Sequence, residues 1–226
     1  DSLINLDEVS VTGSRASDDM PITFSNVSKK DLSKRNLGQD LPILLNFLPS
    51  VVTTSDAGAG IGYTGIRVRG SDATRVNVTI NGIPYNDPES QGTFWVNLPD
   101  ISSSVENIQV QRGVGTSTNG SSAFGATINI LTDGISQEGY TKISRSYGSF
   151  NSQKSTVKYS TGLINNKFEF SGRHSKIKSD GYIDRASSNL KSYFFQGLYK
   201  NDKRLFKLLV FGGSEITYQS WYGVDP

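Results

Sequence analysis

Five segments in the C-terminal part of the chain alternate apolar and polar residues with a period of two. They cover residues 140–148, 152–163, 166–177, 191–200 and 203–216. A period of two places successive side chains on opposite faces of a β-strand. Most of these segments approach the ~9 to 11 residues with which a tilted strand crosses a bilayer. The sequence therefore predicts five amphipathic strands and no helix after Asp133.

The second segment shows this alternation most clearly, with mainly apolar side chains on one face and polar side chains on the other. The first face holds Val157, Tyr159, Thr161 and Leu163, and the second holds Lys154, Thr156, Lys158 and Ser160. Such a strand suits lipid on one side and water on the other. A soluble antiparallel sandwich with one face on a core alternates in the same way. On the strands alone, both interpretations stay open.

The connections between these segments alternate in length. The second and third are joined through "INN" and the fourth and fifth through "NDKR", whereas "SDGYIDRASSN" joins the third and fourth. Short turns at one rim and longer loops at the other are typical of outer-membrane barrels. Five strands cannot close a barrel, because open edges would leave backbone groups unpaired in hydrocarbon. If these strands belong to a barrel, we therefore expect further strands beyond Pro226.

The first half of the chain mixes helix and strand patterns. Leucines at helical spacing predict two short helices between Ser28 and Pro49, broken near Gly38. Strand-like pieces follow at residues 66–70, 75–82, 105–113 and 126–132. One small sheet with helices packed on it is the simplest arrangement of these pieces.

Composition excludes several classes of function. A formal net charge of +2 with scattered basic residues predicts no nucleic-acid partner. The chain has no cysteine and a single histidine, His174, so we expect no metal site, no cofactor and no catalytic residue. An enzyme acting through His174 and acidic loop residues is our third hypothesis. The longest apolar run, Leu41 to Pro49, is far shorter than the ~20 residues of a membrane-spanning helix.

The glycine-rich stretch from Arg112 to Ile130 raises the possibility of a phosphate loop. Gly115 to Ser122 has the glycine spacing of a P-loop, but Ser121 stands where that loop needs lysine. A strand pattern follows instead of a helix, so no helix N-terminus would face an anion. We interpret the glycines as allowing close packing of backbone against backbone in a compact body.

Several motifs in one order resemble the plug domain of TonB-dependent outer-membrane receptors. They are "DLPILLNFLPSVV", "TGIRVRG", "VTINGIPYND" and "NLPDISSSVENIQVQRGVGTSTNGSSAFGATINI". "RGV" stands where many members have Arg-Gly-Pro, and "FGAT" where Gly-Gly is common. In that family the plug fills the lumen of a 22-stranded barrel. The resemblance implies an α+β plug, a small mixed sheet with short helices, followed by antiparallel transmembrane β-barrel strands.

The resemblance also implies a domain organisation. Residues 1–15 would be an N-terminal TonB-box segment, residues 16–135 the plug domain, and residues 136–226 the first five or so strands of an incomplete barrel. Within "LDEVSVTGSR" the implied TonB-binding residues are Asp7, Glu8, Val9, Ser10, Val11 and Thr12. An extended segment of this kind can add as a strand to a partner's sheet.

Two arginines and several loop residues match positions with roles in the family. Arg69 and Arg112 match plug arginines that pair with barrel glutamates, and their partners would lie beyond Pro226. Ligand contacts would come from loops 55–65 and 85–97. The candidate ligand residues are Tyr63, Tyr85, Asn86, Phe94, Trp95 and, in the last loop, Trp221. Trp221 equally fits an interfacial aromatic girdle.

The resemblance implies an energy-coupled importer in the outer membrane of a Gram-negative cell, with its N-terminus in the periplasm. Its partners would be TonB with the inner-membrane energising complex, outer-membrane lipid, and a small-molecule ligand, either a ferric siderophore or cobalamin. One alternative is a glycan importer of the same superfamily. Another is a soluble extracellular adhesion or carbohydrate-binding module built as a β-sandwich.

Overall fold

The computed structural model describes residues 15–115 and 124–218. The chain forms two compact units that alternate along the sequence. The first unit comprises residues 15–29, 67–93, 105–115 and 124–134, and the second comprises residues 30–66, 94–104 and 135–218. The domain boundaries implied at residues 15 and 135 stay predictions.

Strands account for most of the regular structure. They are β1 (Phe24–Ser28), β2 (Val51–Ser55), β3 (Thr64–Val68), β4 (Val76–Ile80), β5 (Ile83–Pro84), β6 (Val105–Arg112), β7 (Ala126–Thr132), β8 (Tyr140–Gly148), β9 (Ser152–Ser160), β10 (Phe168–Ser179), β11 (Ser188–Lys200) and β12 (Leu205–Thr217). The helices are α1 (Lys29–Arg35) and α2 (Leu41–Leu44), and short 3-10 helices lie at Ala73–Arg75, Trp95–Asn97 and Ile101–Ser104.

The first unit is built on a five-stranded mixed sheet in the order β1-β6-β7-β4-β5. β4 and β7 are parallel, whereas the other neighbours are antiparallel. Its core consists of β-branched side chains that are at most 1% exposed: Val27, Val78, Val105, Ile108, Val110, Ile128 and Ile130. Such side chains pack well on a pleated surface, which explains why these segments form strands.

The predicted strands at residues 75–82, 105–113 and 126–132 are confirmed, but their grouping with residues 66–70 in one sheet is wrong. β3 pairs with β2 in a separate two-stranded sheet. β4 has no edge left for β3, because β7 pairs with one edge and β5 with the other. The tight β4–β5 connection uses Asn81 and Gly82 at positive φ, as a two-residue hairpin turn requires.

The prediction of two short helices with a break near Gly38 is confirmed. Gly38 lies between α1 and α2 with φ at 126°, a conformation that other residues rarely adopt. The second helix ends at Leu44 and continues as turns, so it is shorter than the leucine spacing predicted. Within residues 15–115 and 124–218, no helix is long and apolar enough to cross a membrane.

The second unit contains the five predicted amphipathic strands as an antiparallel sheet in the order β8-β9-β10-β11-β12. Each strand pairs with its neighbour in sequence, and the bounds lie close to those predicted. Residues 149–151 and 180–187 connect strands at one end of the sheet, which we call the upper end. Residues 161–167 and 201–204 connect them at the lower end.

The two faces of this sheet differ in an unusual way. One face, here called the covered face, is buried by residues 30–66 and 94–104 and is rich in polar side chains. Its buried members include Lys154, Thr156, Ser160, Glu169, Arg173, Ser175, Ser192 and Gln196. The other face, here called the open face, exposes large apolar side chains: Ile143, Val157, Tyr159, Phe168, Phe170, Tyr193, Phe195, Phe206, Leu208 and Val210. The face assignment predicted for the second segment is therefore confirmed along β9, which ends at Ser160.

We expect an arginine in the middle of the open face to damage membrane assembly, because a cation there would lie in hydrocarbon. Tyr159→Arg should cost about 2–4 kcal/mol if the residue lies near the bilayer midplane. Ile216→Arg, on the same face of the sheet but near the upper end of β12, should cost only about 0–1 kcal/mol. The fraction of folded full-length receptor in vesicles, measured across a urea series, compares the two. Equal losses would contradict the assignment of this face to lipid.

Candidate functional site

A short turn in the second unit carries the buried carboxylate of Asp100. It lies between the 3-10 helices Trp95–Asn97 and Ile101–Ser104. Its backbone has φ at 56°, a left-handed conformation that Asp tolerates better than most residues. The residue is only 3% exposed, so its charge requires partners inside the protein.

Two cations from the covered face of the sheet supply those partners. Lys154 Nζ of β9 lies 2.6 Å from Asp100 Oδ1, and Arg173 Nη1 of β10 lies 3.2 Å from Oδ2. Neutral donors complete the arrangement. They are Asn36 Nδ2 and Ser103 Oγ to Oδ1, and Thr156 Oγ1 and Ser175 Oγ to Oδ2, at 2.5–2.9 Å. We call these residues together the Asp100 cluster.

The cluster keeps the carboxylate ionised. Burial alone would raise the pKa of Asp100, but the charges of Lys154 and Arg173 lower it below its usual value. A buried carboxylate that accepts this many hydrogen bonds is tolerated inside a protein. Removing one member of a buried ion pair is strongly destabilising, because the other charge stays buried. The cluster therefore holds the turn against the strands through charge as well as shape.

Backbone carbonyls of the same turn are also bonded to the sheet. Arg173 Nη1 donates to the carbonyl oxygen of Asp100 at 2.8 Å, and Ser192 Oγ of β11 donates to that of Pro99 at 2.7 Å. Lys158 Nζ donates to the carbonyl oxygen of Ser103 at 2.8 Å. Three adjacent strands thus hold one turn of the chain.

A second feature of this unit is the β2–β3 connection, residues 56–63. Tyr63 packs against a buried cluster of Ile61, Val96, Ile177 and Leu190, and its hydroxyl lies 3.4 Å from Glu215 Oε1. Burial raises the pKa of Tyr63, and the charge of Glu215 adds to this effect. The ring is partly buried, so one side of it remains available at the surface.

Asp40 fixes the base of the same connection. Its backbone N–H donates to the carbonyl oxygen of Gly60 at 2.9 Å, and Thr64 Oγ1 donates to its Oδ2 at 3.0 Å. Burial raises the pKa of Asp40 to about 8. The connection is therefore anchored to the start of α2 and is not a free loop.

Two exposed aromatic rings lie at the upper end of the sheet beside this connection. Phe150 and Tyr182 contact edge to face, with ring centroids 5.4 Å apart, and are 44% and 67% exposed. The backbone N–H of Tyr182 donates to the carbonyl oxygen of Ala57 at 2.8 Å. We call Tyr63, Phe150 and Tyr182 the upper aromatic group. Phe150 and Tyr182 are not among the ligand residues predicted from the sequence, although both lie in predicted strand connections.

The other predicted ligand residues are distributed differently. Phe94 is 46% exposed, but the neighbouring Trp95 is only 2% exposed and packs in the interior of the second unit. Tyr85 and Asn86 belong to the first unit. The amide of Asn86 is used within the protein, since it accepts from Val78 N and donates to two backbone carbonyls.

The two predicted plug arginines both lie in the first unit. Arg112 donates to Ser25 Oγ at 2.8 Å and to the carbonyl oxygen of Phe24 at 3.4 Å, so it links β6 to β1. Arg69 is exposed and has φ at 52°. Their proposed pairing with glutamates later in the protein stays a prediction.

Some predicted residues lie outside the described part of the chain. These are the TonB-box residues Asp7, Glu8, Val9, Ser10, Val11 and Thr12, and also Trp221. Among the described residues, no group of three or more His, Asp or Glu side chains could hold a metal ion.

Comparison with known proteins identifies the family. A family model described as the TonB-dependent receptor plug domain matches residues 16–127. The chain belongs to the TonB-dependent receptors. Its predicted fold class, a plug followed by antiparallel barrel strands, is confirmed. This is a family of transporters and receptors, not of enzymes.

Individual relatives of this receptor chain differ in what they carry. The vitamin B12 transporter BtuB of Vibrio cholerae is 29% identical over 152 residues, which cover 66% of this chain and 24% of the transporter. The siderophore receptor PirA from Acinetobacter baumannii has a TM-score of 0.65 at 19% identity, over 85% of this chain and 32% of that receptor. The copper transporter OprC has a TM-score of 0.72 at 16% identity, over 87% of this chain and 32% of OprC. The chain thus spans about a quarter of the curated relative and about a third of these solved structures.

Neutralising Asp100 should loosen the turn that it anchors. Asp100→Asn keeps the shape but removes the negative charge that Lys154 and Arg173 share in the interior, which should cost about 3–5 kcal/mol of stability. Urea unfolding of the full-length receptor in vesicles, followed by its heat-dependent gel mobility, measures this loss.

Asp202→Asn is the matched control, because it removes one exposed carboxylate from the 201–204 turn. It should change the unfolding free energy by no more than about 0.5 kcal/mol. An equal effect of the two substitutions would show that the Asp100 cluster does not stabilise the turn.

Proposed function

We propose that this receptor imports a scarce ligand across the outer membrane, driven by TonB. The observation that carries the proposal is the polarity of the second unit's sheet, whose apolar face is open and whose polar face is covered. A soluble sandwich buries its apolar face instead. A barrel wall in lipid requires the arrangement found here, with polar side chains toward an interior that holds a plug.

We propose an iron chelate, such as a ferric siderophore, as the ligand, with cobalamin as the second candidate. Both classes occur among the relatives, in a siderophore receptor and a vitamin B12 transporter. The upper aromatic group is the proposed contact surface. Rigid aromatic rings on anchored connections bind large ligands at a low cost in conformational entropy.

Energy coupling would begin at the N-terminal segment. Asp7 to Thr12 would bind TonB in the periplasm by adding as a strand to its sheet, because such pairing needs only an extended backbone. Arg69 and Arg112 would hold the plug through ion pairs with the rest of the barrel. TonB would then rearrange the plug to open a path for the ligand. No chemical step on the ligand is part of this proposal.

Binding and uptake assays with the complete receptor test the proposal directly. Ferric chelates, cobalamin and oligosaccharides are offered in turn, and uptake is measured in cells with and without TonB. TonB-dependent uptake of an iron chelate or cobalamin supports the proposal, whereas uptake of oligosaccharide alone favours the glycan importer. A full-length protein that stays monodisperse in plain buffer without detergent would instead favour the soluble adhesion module.

Proline in the proposed TonB box should separate binding from transport. Val9→Pro with Val11→Pro removes backbone donors that strand addition needs, so uptake should be lost while ligand binding is unchanged. Val9→Thr with Val11→Thr keeps those donors and should retain uptake. Normal uptake by the proline variant would refute the assignment of the box.

Removing exposed rings should weaken ligand binding without affecting assembly. Phe150→Ala with Tyr182→Ala should raise the dissociation constant about tenfold or more, as loss of aromatic contacts at an interface does. Phe206→Ala is the matched control, because Phe206 is 58% exposed but lies at the lower end of the sheet. Equal affinities for both variants would exclude the upper aromatic group as the binding surface.

A further inference from the structure

The open face of the five-stranded sheet carries charge of one sign. Both acidic residues of its strands, Glu169 and Glu215, lie on the covered face. Glu169 is buried there, and Glu215 lies directly opposite the fully buried Leu190 in the strand register, so the two share a face. The basic side chains Arg145, Lys176, Lys178 and Lys191 are exposed on the open face. They are confined to the part of that face nearest the upper end.

Strand register brings three of these cations into one row. Lys176 of β10 lies directly opposite Lys191 of β11. On its other side Lys176 faces Ser155 of β9, which in turn faces Arg145 of β8. Lys191 faces Ser214 of β12. We call these residues, Arg145, Ser155, Lys176, Lys191 and Ser214, the basic row.

The basic row is unfavourable by itself. Directly opposite side chains in a sheet have Cβ atoms about 4.5–5.5 Å apart, and like charges at that distance repel. No acidic residue belongs to the row, and the nearest acidic residues in sequence, Asp180 and Asp184, lie beyond the strand ends in the connection 180–187. An anion bound between Lys176 and Lys191 would convert this repulsion into attraction, and the two serine hydroxyls could donate to its oxygens.

The row lies near the upper edge of the apolar band. Phe168 precedes Lys176 by eight positions on β10. With a rise of about 3.3 Å per residue and a tilt of about 35–45°, the lysine lies roughly 20 Å above Phe168 along the membrane normal. The apolar band of a barrel is about 25 Å tall, so with Phe168 near its lower edge the row lies about 5 Å below its upper edge, from where lysine and arginine side chains extend to the lipid headgroups.

The next row below consists largely of apolar side chains. Ile143, Val157 and Tyr193 lie there on β8, β9 and β11, each more than 40% exposed, and exposed His174 of β10 lies between Val157 and Tyr193. If the anionic group of a ligand binds the basic row, the part of the ligand below that group would contact these side chains. This favours a lipid phosphate with acyl chains over a free phosphate ion.

We propose that the basic row binds the phosphate groups of the phosphorylated glycolipid in the outer leaflet of the outer membrane. The inference rests on the membrane placement in the proposed function, with the longer 180–187 connection on the outside. Lys176 and Lys191 hold the phosphate between them, while Ile143, Val157 and Tyr193 contact the acyl chains.

Binding of lipid A to the detergent-purified full-length receptor, measured by native mass spectrometry, tests the proposal. Lys176→Gln with Lys191→Gln should bind lipid A about tenfold more weakly than the unmodified receptor. Lys203→Gln with Arg204→Gln removes the same charge from the lower end and should bind normally. Lys176→Arg with Lys191→Arg should also bind normally, because the charges are kept.

Dephosphorylated lipid A and inorganic phosphate are the ligand controls. Dephosphorylated lipid A should bind as weakly to the unmodified receptor as lipid A binds to the Lys176→Gln, Lys191→Gln variant. Equal binding of lipid A to both glutamine variants would overturn the proposal, as would displacement of lipid A by inorganic phosphate at equal concentration. Heat-dependent gel mobility checks that each variant has assembled, and Lys191→Gln alone replaces the double variant if that one does not assemble.

Transport is measured in the same strains to keep the two proposals apart. Weaker lipid A binding with normal TonB-dependent uptake supports the basic row as a lipid site. If the unmodified receptor shows no TonB-dependent uptake of any offered ligand, the proposed function is refuted. The lipid A binding measurement does not depend on uptake and still tests the basic row.

Discussion

The buried carboxylate of Asp100 is the interaction on which the second unit depends. The covered face of its sheet carries Lys154 and Arg173, and two cations on a buried face are stable only if an anion lies between them. Asp100 supplies that anion from a turn whose own backbone carbonyls are bonded to the same strands. Removing the turn would take away the carboxylate that both Lys154 and Arg173 contact.

This constraint explains why the sheet is polar where a soluble protein would be apolar. A sheet facing lipid on one side gains its apolar environment from the membrane, so its other face can be filled by hydrogen bonds and ion pairs. Ser160 and Glu169, on the neighbouring strands β9 and β10, give another example of a hydrogen bond on this face. The Ser160 hydroxyl donates to the Glu169 carboxylate at 2.6 Å. The buried apolar side chains of this unit come mainly from residues 30–66 and 94–104, and on the sheet they include Ile177, Leu190, Phe194 and Leu198.

Local sequence patterns predicted most elements but not their partners. The alternation along residues 140–216 gave the five strands and their faces, because side-chain direction in a strand depends only on position parity. The pairing of β3 with β2 could not be predicted in this way, since it depends on which edges of β4 are already occupied. The Asp100 cluster was equally hidden: Asp100 and Arg173 are 73 positions apart, and no local pattern joins them. Phe150 and Tyr182 could have been found as aromatics in strand connections at one rim.

The described part of the N-terminal segment indicates where a pulling force would first act, if TonB binds upstream as proposed. Gln109 of β6 holds Ala16 like a neighbouring strand, accepting from its N–H at 2.7 Å and donating to its carbonyl oxygen at 2.9 Å. Arg15 donates to Asn107 beside it. These few bonds belong to the first unit, whereas the Asp100 cluster belongs to the second. The two neutral hydrogen bonds of Ala16 contribute about 1 kcal/mol each, whereas breaking a buried ion pair costs about 3–5 kcal/mol. Force from the N-terminus should therefore release the contacts of Ala16 long before the Asp100 turn leaves the sheet.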